Sequence, residues 1–162
     1  MEFSTNSRVW VYQSDKKLTD DVVQQVQQRL DAFATQWTAH NNQLKARGEV
    51  RYNRFLILII DETQAGASGC SIDKSVRFMQ DLEKEFNINL FDRFNLAYRD
   101  ADEVLSLPRH GFEELLKNGT INTNTIVYNN LVQNLSELQN KWEVPFKDSW
   151  HIQLFRDLVV AP

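Results

Sequence analysis

An unbroken apolar run from Phe55 to Ile60 restricts the fold of this chain more than any other feature. Neighbouring side chains of a β-strand point to opposite faces of the sheet, so six consecutive large apolar residues leave neither face polar. Such a run is typical of a central strand that is covered on both faces. It is far shorter than the roughly 20 apolar residues that a membrane-spanning helix requires.

Two segments have the periodicity of helices that pack on such a sheet. Thr19 is predicted to cap a first helix that ends near His40, and a second helix is predicted to begin between Ser71 and Asp73. In both segments apolar residues recur every three or four positions, which places them on one face of each helix. These residues are Val22, Val26, Leu30, Phe33 and Trp37 in the first helix and Ile72, Val76, Met79, Leu82 and Phe86 in the second.

Further strands are predicted where β-branched and aromatic residues are bounded by turn residues. They cover residues 8–13, 50–61, 94–99, 103–107 and 125–128. A short helix is predicted from residue 112 to a left-handed end at Asn118-Gly119, and another from a capping box at Ser136 to about residue 142. The alternation of strands and helices favours an α/β or α+β fold, with a mixed sheet of about five strands and helices packed on it. No linker divides the chain, so residues 1–162 are predicted to form a single domain.

The composition argues against several kinds of partner. A formal net charge of -4 does not fit the basic surface that binds nucleic acid or anionic lipid, so neither nucleic acid nor a membrane is expected. The single cysteine, Cys70, excludes an internal disulfide and a cysteine-rich zinc site, and no metal or cofactor is predicted. The segment from Met1 to Gln13 lacks the apolar stretch of a secretory signal, so a cytoplasmic location is expected.

The clearest candidate site is the loop from Ala65 to Asp73, which joins the apolar strand to the second helix. Ligands of open α/β sheets bind beyond the carboxyl ends of strands, and a helix start offers unpaired amides to an anion. Small residues also let the backbone approach a ligand closely. The predicted ligand-binding residues of the loop are Gly66, Ser68, Gly69, Cys70 and Ser71. The alternative is a simple connector in which Ser71 or Asp73 caps the helix.

Asp61 and Arg54 complete the predicted ligand-binding set. Asp61 ends the apolar strand beside the loop, where it is a general base, a metal-binding carboxylate or simply a solvated strand-end acid. Arg54 belongs to a basic cluster with Lys45, Arg47 and Arg51, which favours an acidic partner or an anionic ligand. The alternative is a solvated edge strand whose charged side chains prevent pairing with another chain.

Cys70 is the candidate catalytic residue of a rival hypothesis. The positive end of a helix dipole favours the thiolate, which is the nucleophilic form of cysteine. A nucleophile also needs a base, and His40, His110 and His151 are the only histidines of the chain. The alternative is that Cys70 is a small buried apolar residue.

Six short motifs resemble those of one protein family. They are Trp37-Thr-Ala-His40, Arg51-Tyr-Asn-Arg-Phe55, Ser68-Gly-Cys-Ser-Ile-Asp73, Phe91-Asp-Arg93, Ala97-Tyr-Arg-Asp100 and Asp148-Ser-Trp-His151. The resemblance spans nearly the whole chain and implies a small uncharacterised bacterial protein of a type typical of Bacteroidetes, with no established activity. Members often carry the label "ABC transporter ATPase".

The residues argue against that ATPase label. A phosphate-binding loop needs a glycine-rich segment that ends in Gly-Lys followed by Ser or Thr, and no such segment occurs here. Phe55 to Glu62 resembles a Walker B strand, but its two acids act only beside a phosphate-binding loop.

Together these features favour a cytosolic protein, without chemistry of its own, that binds a small anionic ligand or a protein partner through the region of residues 65–73. Two alternatives stay open. One is a Cys70-dependent enzyme acting on an anionic substrate, and the other is a structural or oligomeric component, such as a homo-oligomer.

Overall fold

The structure is a computed structural model that describes residues 2–158. Its strands are β1 (Arg8–Gln13), β2 (Thr38–Ala39), β3 (Asn42–Gln43), β4 (Lys45–Arg51), β5 (Phe55–Asp61), β6 (Asn95–Asp100), β7 (Glu103–Pro108), β8 (Ile126–Tyr128) and β9 (Glu143–Pro145). Its helices are α1 (Asp20–Gln36), α2 (Gly69–Phe86), α3 (Arg109–Lys117) and α4 (Leu135–Lys141), followed by two 3-10 helices at Phe146–Asp148 and Trp150–Phe155.

The apolar run forms β5, the central strand of an antiparallel sheet with the order β1-β5-β4. Both edges of β5 are paired, since Ile57 lies opposite Val11 of β1 and opposite Glu49 of β4. Every residue from Phe55 to Ile60 has an exposure of 0%. The prediction of a strand covered on both faces is therefore confirmed.

Helices α1 and α2 cover one face of this first sheet. Leu56, Leu58 and Ile60 of β5 pack there against Leu30 of α1 and Met79 of α2. The predicted apolar stripes of the two helices supply this layer, which fixes the start of α2 at the end of the sheet where β5 finishes.

A second antiparallel sheet, with the order β7-β6-β8-β9, covers the other face. Phe55, Ile57 and Ile59 pack against Ala97 of β6 and Tyr128 of β8. The outer face of the second sheet is covered by α3 and the last 3-10 helix, through Leu96, Tyr98, Phe112, Val127 and Phe155. The chain therefore forms four layers in the order helices, sheet, sheet, helices.

The mixed α and β class of the fold is confirmed, but the strands do not form one mixed sheet. They form separate antiparallel sheets of three, two and four strands. Alternation of strands and helices favoured a mixed sheet, whereas the pairs β2–β3, β4–β5 and β6–β7 are hairpins with short turns. A tight turn can join only antiparallel strands, because a parallel pair needs a long crossover.

The polar strands and their turns are the elements that the sequence patterns missed. The first helix ends at Gln36 rather than near His40, because a hairpin begins there and turns at His40 and Asn41 with φ of 51° and 66°. β4 then turns directly into β5 through Tyr52 and Asn53, with φ of 55° and 52°. Two positive φ values in succession suit the right-handed twist of a hairpin. Within residues 2–158, no helix combines the length and the apolar character needed to span a bilayer.

Candidate functional site

The loop before α2 is occupied by its own hydrogen bonds. Ser68 caps α2, in place of the Ser71 or Asp73 considered from the sequence, because its Oγ accepts from Ser71 N at 3.1 Å. In return the Ser71 Oγ accepts from Ser68 N at 2.6 Å. This reciprocal capping box satisfies two of the amides that an anion would otherwise bind, those of Ser68 and Ser71. Ser71 itself is buried.

A carboxylate also lies in this loop. Glu62 folds back so that its Oε2 accepts from Ala67 N at 2.8 Å, and the same oxygen lies 3.0 Å from the position of a Cβ on Gly66. A negative charge here opposes the small anionic ligand predicted for the loop, because like charges repel. Gly66, Gly69 and Cys70 are the predicted loop residues that stay exposed.

Cys70 lies in the first turn of α2 as a free, exposed cysteine, so it is not the small buried residue of the alternative interpretation. None of the three histidines forms a hydrogen bond with its thiol in the part of the chain that the structure describes. His40 is exposed in the β2–β3 turn, His110 lies in α3, and His151 is buried in the last 3-10 helix.

Arg54 and Asp61 lie at opposite ends of β5 and cannot share a site. Arg54 immediately precedes the strand and Asp61 ends it, which separates them by about 24 Å at the rise of an extended chain. Of the predicted ligand-binding residues, the structure brings together only those of the loop and Asp61. Arg54 is not part of that group.

Both residues have structural partners instead. Asp61 is buried and accepts hydrogen bonds from Ser4 N and Thr63 N, at 2.9 and 3.0 Å, so it anchors the amino-terminal segment. These bonds hold the pKa of Asp61 well below its usual range, and the bond from Ser4 N–H has the largest effect. Arg54 is buried and donates to Ser14 O and Ser106 Oγ, at 3.2 and 2.7 Å, and burial lowers its pKa.

A groove lies along the outer edge of β1. It has a volume of about 930 Å³ and runs between β1, residues 90–96 and residues 130–134. We call it the β1 groove. Because β1 ends the order β1-β5-β4, its second edge is free to face this space.

The backbone of β1 presents unpaired groups to the β1 groove. Val9 N–H points away from β5, because it donates to Gln133 O at 3.1 Å. The direction of backbone groups alternates along a strand, so the groups of Val11 and Gln13 also point away from β5. Val11 N–H, Val11 C=O and Gln13 N–H have no hydrogen-bond partner within residues 2–158.

Exposed apolar side chains surround this open edge. Among the described residues four large apolar side chains are exposed, and three of them line the groove: Phe91 at 41%, Phe94 at 54% and Leu131 at 58%. The fourth, Tyr52, lies elsewhere. The ring of Phe91 packs edge-on against Tyr12 of β1, with centroids 5.5 Å apart. Exposed apolar groups are therefore concentrated at the one free strand edge that adjoins a large cavity.

Amide side chains hold the walls of the groove together. Gln13 Nε2 donates to Asn95 O at 2.5 Å, and Asn130 Nδ2 donates to Gln13 Oε1 at 2.9 Å. Trp142 Nε1 in turn donates to Asn130 Oδ1 at 3.0 Å. Gln13 is buried at 7% exposure, so its bond to Asn95 is shielded from water, and the other two bonds are partly buried. The groove is therefore preformed and does not depend on a ligand to bring its walls together.

Two stacked rings line the groove beside these amides. Trp150 lies on His151 with centroids 4.1 Å apart, and its buried Nε1 has no hydrogen-bond partner in the described part of the chain. His151 Nδ1 is hydrogen-bonded to Ser149 Oγ. Burial lowers the pKa of His151 to about 4, so the imidazole is neutral near pH 7. These groups offer hydrogen bonds without charge.

The charged residues of the groove are mostly basic. Arg8 begins β1, and Arg93 lies in the wall that adjoins the other end of the strand. Asp92 is the one carboxylate among the lining residues, and its Oδ1 accepts from Phe94 N at 2.9 Å. Arg8 lies 3.7 Å from Glu62 in an ion pair, whereas Arg93 has no ion-pair partner within residues 2–158.

Sequence reasoning missed this groove, because it is assembled from three distant segments. The one signal in the sequence was the pair of aromatic residues in Phe91-Asp-Arg-Phe94, which belongs to neither a helix nor a strand. Comparison with family models, with curated proteins and with solved structures found no match to this chain. Residues 2–158 contain no group of three or more His, Cys, Asp or Glu that could hold a metal ion.

Proposed function

We propose that this protein binds a peptide or a protein partner in the β1 groove and has no chemistry of its own. The observation that carries the proposal is the unpaired backbone of Val11, which lies among the exposed side chains of Phe91, Phe94 and Leu131. Concave sites that combine apolar side chains with a few fixed hydrogen-bonding groups are typical of binding sites. Grouped exposed apolar residues are likewise typical of partner surfaces.

The lining of the groove supports binding more than catalysis. Its polar side chains are mainly amides, such as Asn130 and Gln133, which form hydrogen bonds but do not transfer protons at neutral pH. The imidazole of His151 is engaged through Nδ1 with Ser149, and no carboxylate of residues 2–158 forms a hydrogen bond with that pair. A partner held here would be recognised by shape and by hydrogen bonds.

The 65–73 loop is the weaker location for the partner. The amides of Ser68 and Ser71 are already bonded within the capping box, and the Glu62 carboxylate lies beside Gly66. We place the protein in the cytoplasm as part of the same proposal. A lone exposed thiol, Cys70, suits a reducing compartment, where it stays free.

Amide chemical-shift mapping of the ¹⁵N-labelled protein tests this proposal. The probes are a mixed pool of end-capped hexapeptides and, separately, inorganic phosphate. The peptide pool is expected to shift the amides of residues 8–13, 90–96 and 130–134, because these segments form the groove. Replacing Phe94 and Leu131 together by alanine should weaken that response by about tenfold, since both lost side chains offer apolar contact area.

Gly69→Ala is the matched control, because it alters the loop where nothing lies within 4 Å of an added Cβ. It should leave the response to peptides unchanged. Shifts confined to residues 65–73 on addition of phosphate would instead support the anion site. Absence of any response in the groove to the peptide pool would overturn the proposal.

A further inference from the structure

We infer that the occupant of the β1 groove is an extended peptide with acidic ends, which adds to β1 as a fourth strand of the first sheet. This inference rests on the proposed function and specifies the chemistry of its partner. Strand addition at a free sheet edge is an established mode of peptide recognition, in which main-chain hydrogen bonds give affinity.

The chain itself shows that the outer edge of β1 accepts a strand. Leu135 N–H donates to Ser7 O at 2.8 Å and Val9 N–H donates to Gln133 O at 3.1 Å, which is an antiparallel bridge on this edge. The pairing then stops, because Gln133 N–H is taken by the carboxylate of Glu137 at 2.8 Å. The donors and acceptors that follow along β1 are left for another chain.

The unpaired groups begin where that bridge ends. Val9 C=O, the N–H and C=O of Val11, and Gln13 N–H point into the groove without a protein partner in residues 2–158. They repeat at the spacing of one β ladder, which matches a segment of about five or six extended residues. A compact small molecule would use only one or two of these groups.

Apolar surface lies on both sides of this edge. Trp10 and Tyr12 belong to the core on the helix side of β1, and Val9 and Val11 belong to the core on the side of the second sheet. Side chains of an added strand alternate between the same two sides. Apolar residues are therefore favoured at consecutive positions of the peptide, not only at every second one.

The charges at the two ends of the edge select acidic termini. Arg8 lies at the start of β1, and Arg93 lies in the wall next to Gln13 at its end. The ends of the strand are about 17 Å apart, so acidic residues five positions apart can each lie near an arginine. Arg8 Nε lies 3.7 Å from Glu62 Oε1 in a partly exposed ion pair. Arg93 has no ion-pair partner in the part of the chain that the structure describes, so its end of the edge attracts an acidic residue more strongly.

A second copy of the protein fits the edge less well than a free peptide. An antiparallel pairing of two β1 strands centred on Val11 would bring Arg8 of each copy towards the end where Arg93 of the other copy lies. Like charges facing each other across paired strands are destabilising. The walls at residues 90–96 and 130–134 would also have to pass one another.

Fluorescence anisotropy with a defined peptide tests the inference. The probe is the end-capped hexapeptide Glu-Val-Ile-Val-Thr-Glu with a fluorescein label, and it is expected to bind because main-chain pairing does not depend on a special side chain. Two versions carry N-methyl groups, one at the second and fourth residues and one at the third and fifth. One version should bind at least about tenfold more weakly, because its blocked amides face β1, and the other should change by less than about twofold.

Charge variants provide the second readout. The same peptide with lysine at both ends should bind at least about fivefold more weakly than the glutamate form at low salt. Replacement of Arg8 and Arg93 by glutamine should remove most of that difference, and Lys74→Gln, on exposed α2 surface outside the groove, should not.

The possible failures are distinguishable. Peptide binding in the groove with equal effects of both N-methyl patterns would overturn strand addition and leave the proposed function in place. If the defined peptide does not bind while the mixed pool still shifts the groove amides, strand addition is likewise overturned and the proposed function stays in place. If the free protein is a dimer and the peptide dissociates it, the edge of β1 binds a second copy of the protein. If no peptide shifts the amides of the groove, both proposals are refuted.

Discussion

Replacement of Gly48 by alanine tests how closely α1 packs on the first sheet. A Cβ on Gly48, in β4, would lie 2.9 Å from Leu30 Cβ and 3.0 Å from Leu30 Cδ2. Leu30 belongs to α1 and has an exposure of 0%. The Cδ2 atom can move by rotation of the side chain, but Cβ moves only with the helix backbone. The clash therefore has to be relieved by displacement of α1 from the sheet.

The expected cost follows from two opposing effects of Gly48→Ala. Overpacking of a close-packed interface costs about 1–3 kcal/mol, and exchange of a glycine for alanine within a strand returns about 0.5–1 kcal/mol. The two ranges combine to a decrease of about 0–2.5 kcal/mol in the free energy of unfolding. Because Leu30 Cβ cannot rotate away, we expect the upper part of that range, about 1–2 kcal/mol. For a chain of this length that corresponds to a decrease in Tm of roughly 2–8 °C.

Urea unfolding of Gly48→Ala and of Gly69→Ala measures this effect against a matched control. Gly69 lies at the exposed start of α2 with nothing within 4 Å of an added Cβ. Its replacement should leave stability unchanged or raise it by up to about 1 kcal/mol, because alanine favours the helix.

A double-mutant cycle with Leu30→Ala identifies the atoms responsible. Leu30→Ala removes Cδ2 but keeps the Cβ that lies 2.9 Å from the added methyl group. It should therefore cost about 2–5 kcal/mol by itself and add to Gly48→Ala within about 0.5 kcal/mol. The reasoning is refuted if Gly48→Ala lies within about 0.5 kcal/mol of the wild type, or if Leu30→Ala recovers about 1 kcal/mol or more of its cost, since Cδ2 would then be the atom responsible.

Three further predictions concern titration and exposure. The buried His151 has its pKa lowered to about 4, so the unfolded protein binds a proton before the folded one does. Stability should then decrease as the pH falls from about 6.5 towards 4, by up to about 3 kcal/mol in urea unfolding, and His151→Gln should abolish most of that slope. The pKa of Asp61 is also lowered, chiefly by Ser4 N–H, so its contribution is complete above its unfolded value of about 4 and is lost in more acidic solution; Asp61→Asn should lower the Tm at pH 7 and expose the amino-terminal residues to proteolysis. Cys70 is exposed, so a thiol reagent should modify it without prior unfolding, and slow modification that requires denaturant would contradict its placement.

Helices, strands and caps that are determined by residues close together in the chain were predictable from the sequence. β1 at residues 8–13 and the Thr19 cap of α1 were placed correctly, because strand-forming residues and a capping hydroxyl act locally. The apolar run of β5 likewise required a layer on each face. The left-handed end of α3 at Gly119, with φ of 82°, was also expected from Asn-Gly.

Elements that depend on distant contacts were not predictable in the same way. β4 is a charged edge strand without apolar alternation, so nothing in residues 45–49 distinguishes it from a loop. The helix at residues 135–141 is capped by Asn134 rather than by Ser136. Both residues can cap a helix, but it is Asn134 Oδ1 that accepts a hydrogen bond from Glu137 N. The partition of strands between two facing sheets depends on pairings across the whole chain.

The candidate site was misplaced for a related reason. Small residues such as Gly66 and Gly69 before a helix are typical both of an anion-binding loop and of a capped connector, and the returning carboxylate of Glu62 distinguishes the two only in three dimensions. The β1 groove is the reverse case, because each of its segments is ordinary by itself. Its properties arise when β1 keeps one edge unpaired beside Phe91 and Leu131.

The burial of β5 has a consequence for hydrogen exchange. Its amides are bonded on both edges and covered on both faces, so deuterium can reach Ile57 only when the whole molecule opens. The neighbouring amide of Val11 has no acceptor within residues 2–158 and exchanges from the folded state. β1 and β5 lie side by side in one sheet. Exchange at Ile57 in β5 reports the global free energy of unfolding, whereas exchange at Val11 in β1 reports whether a ligand occupies the free edge. A single exchange experiment can therefore separate a ligand that stabilises the whole fold from one that protects Val11 directly.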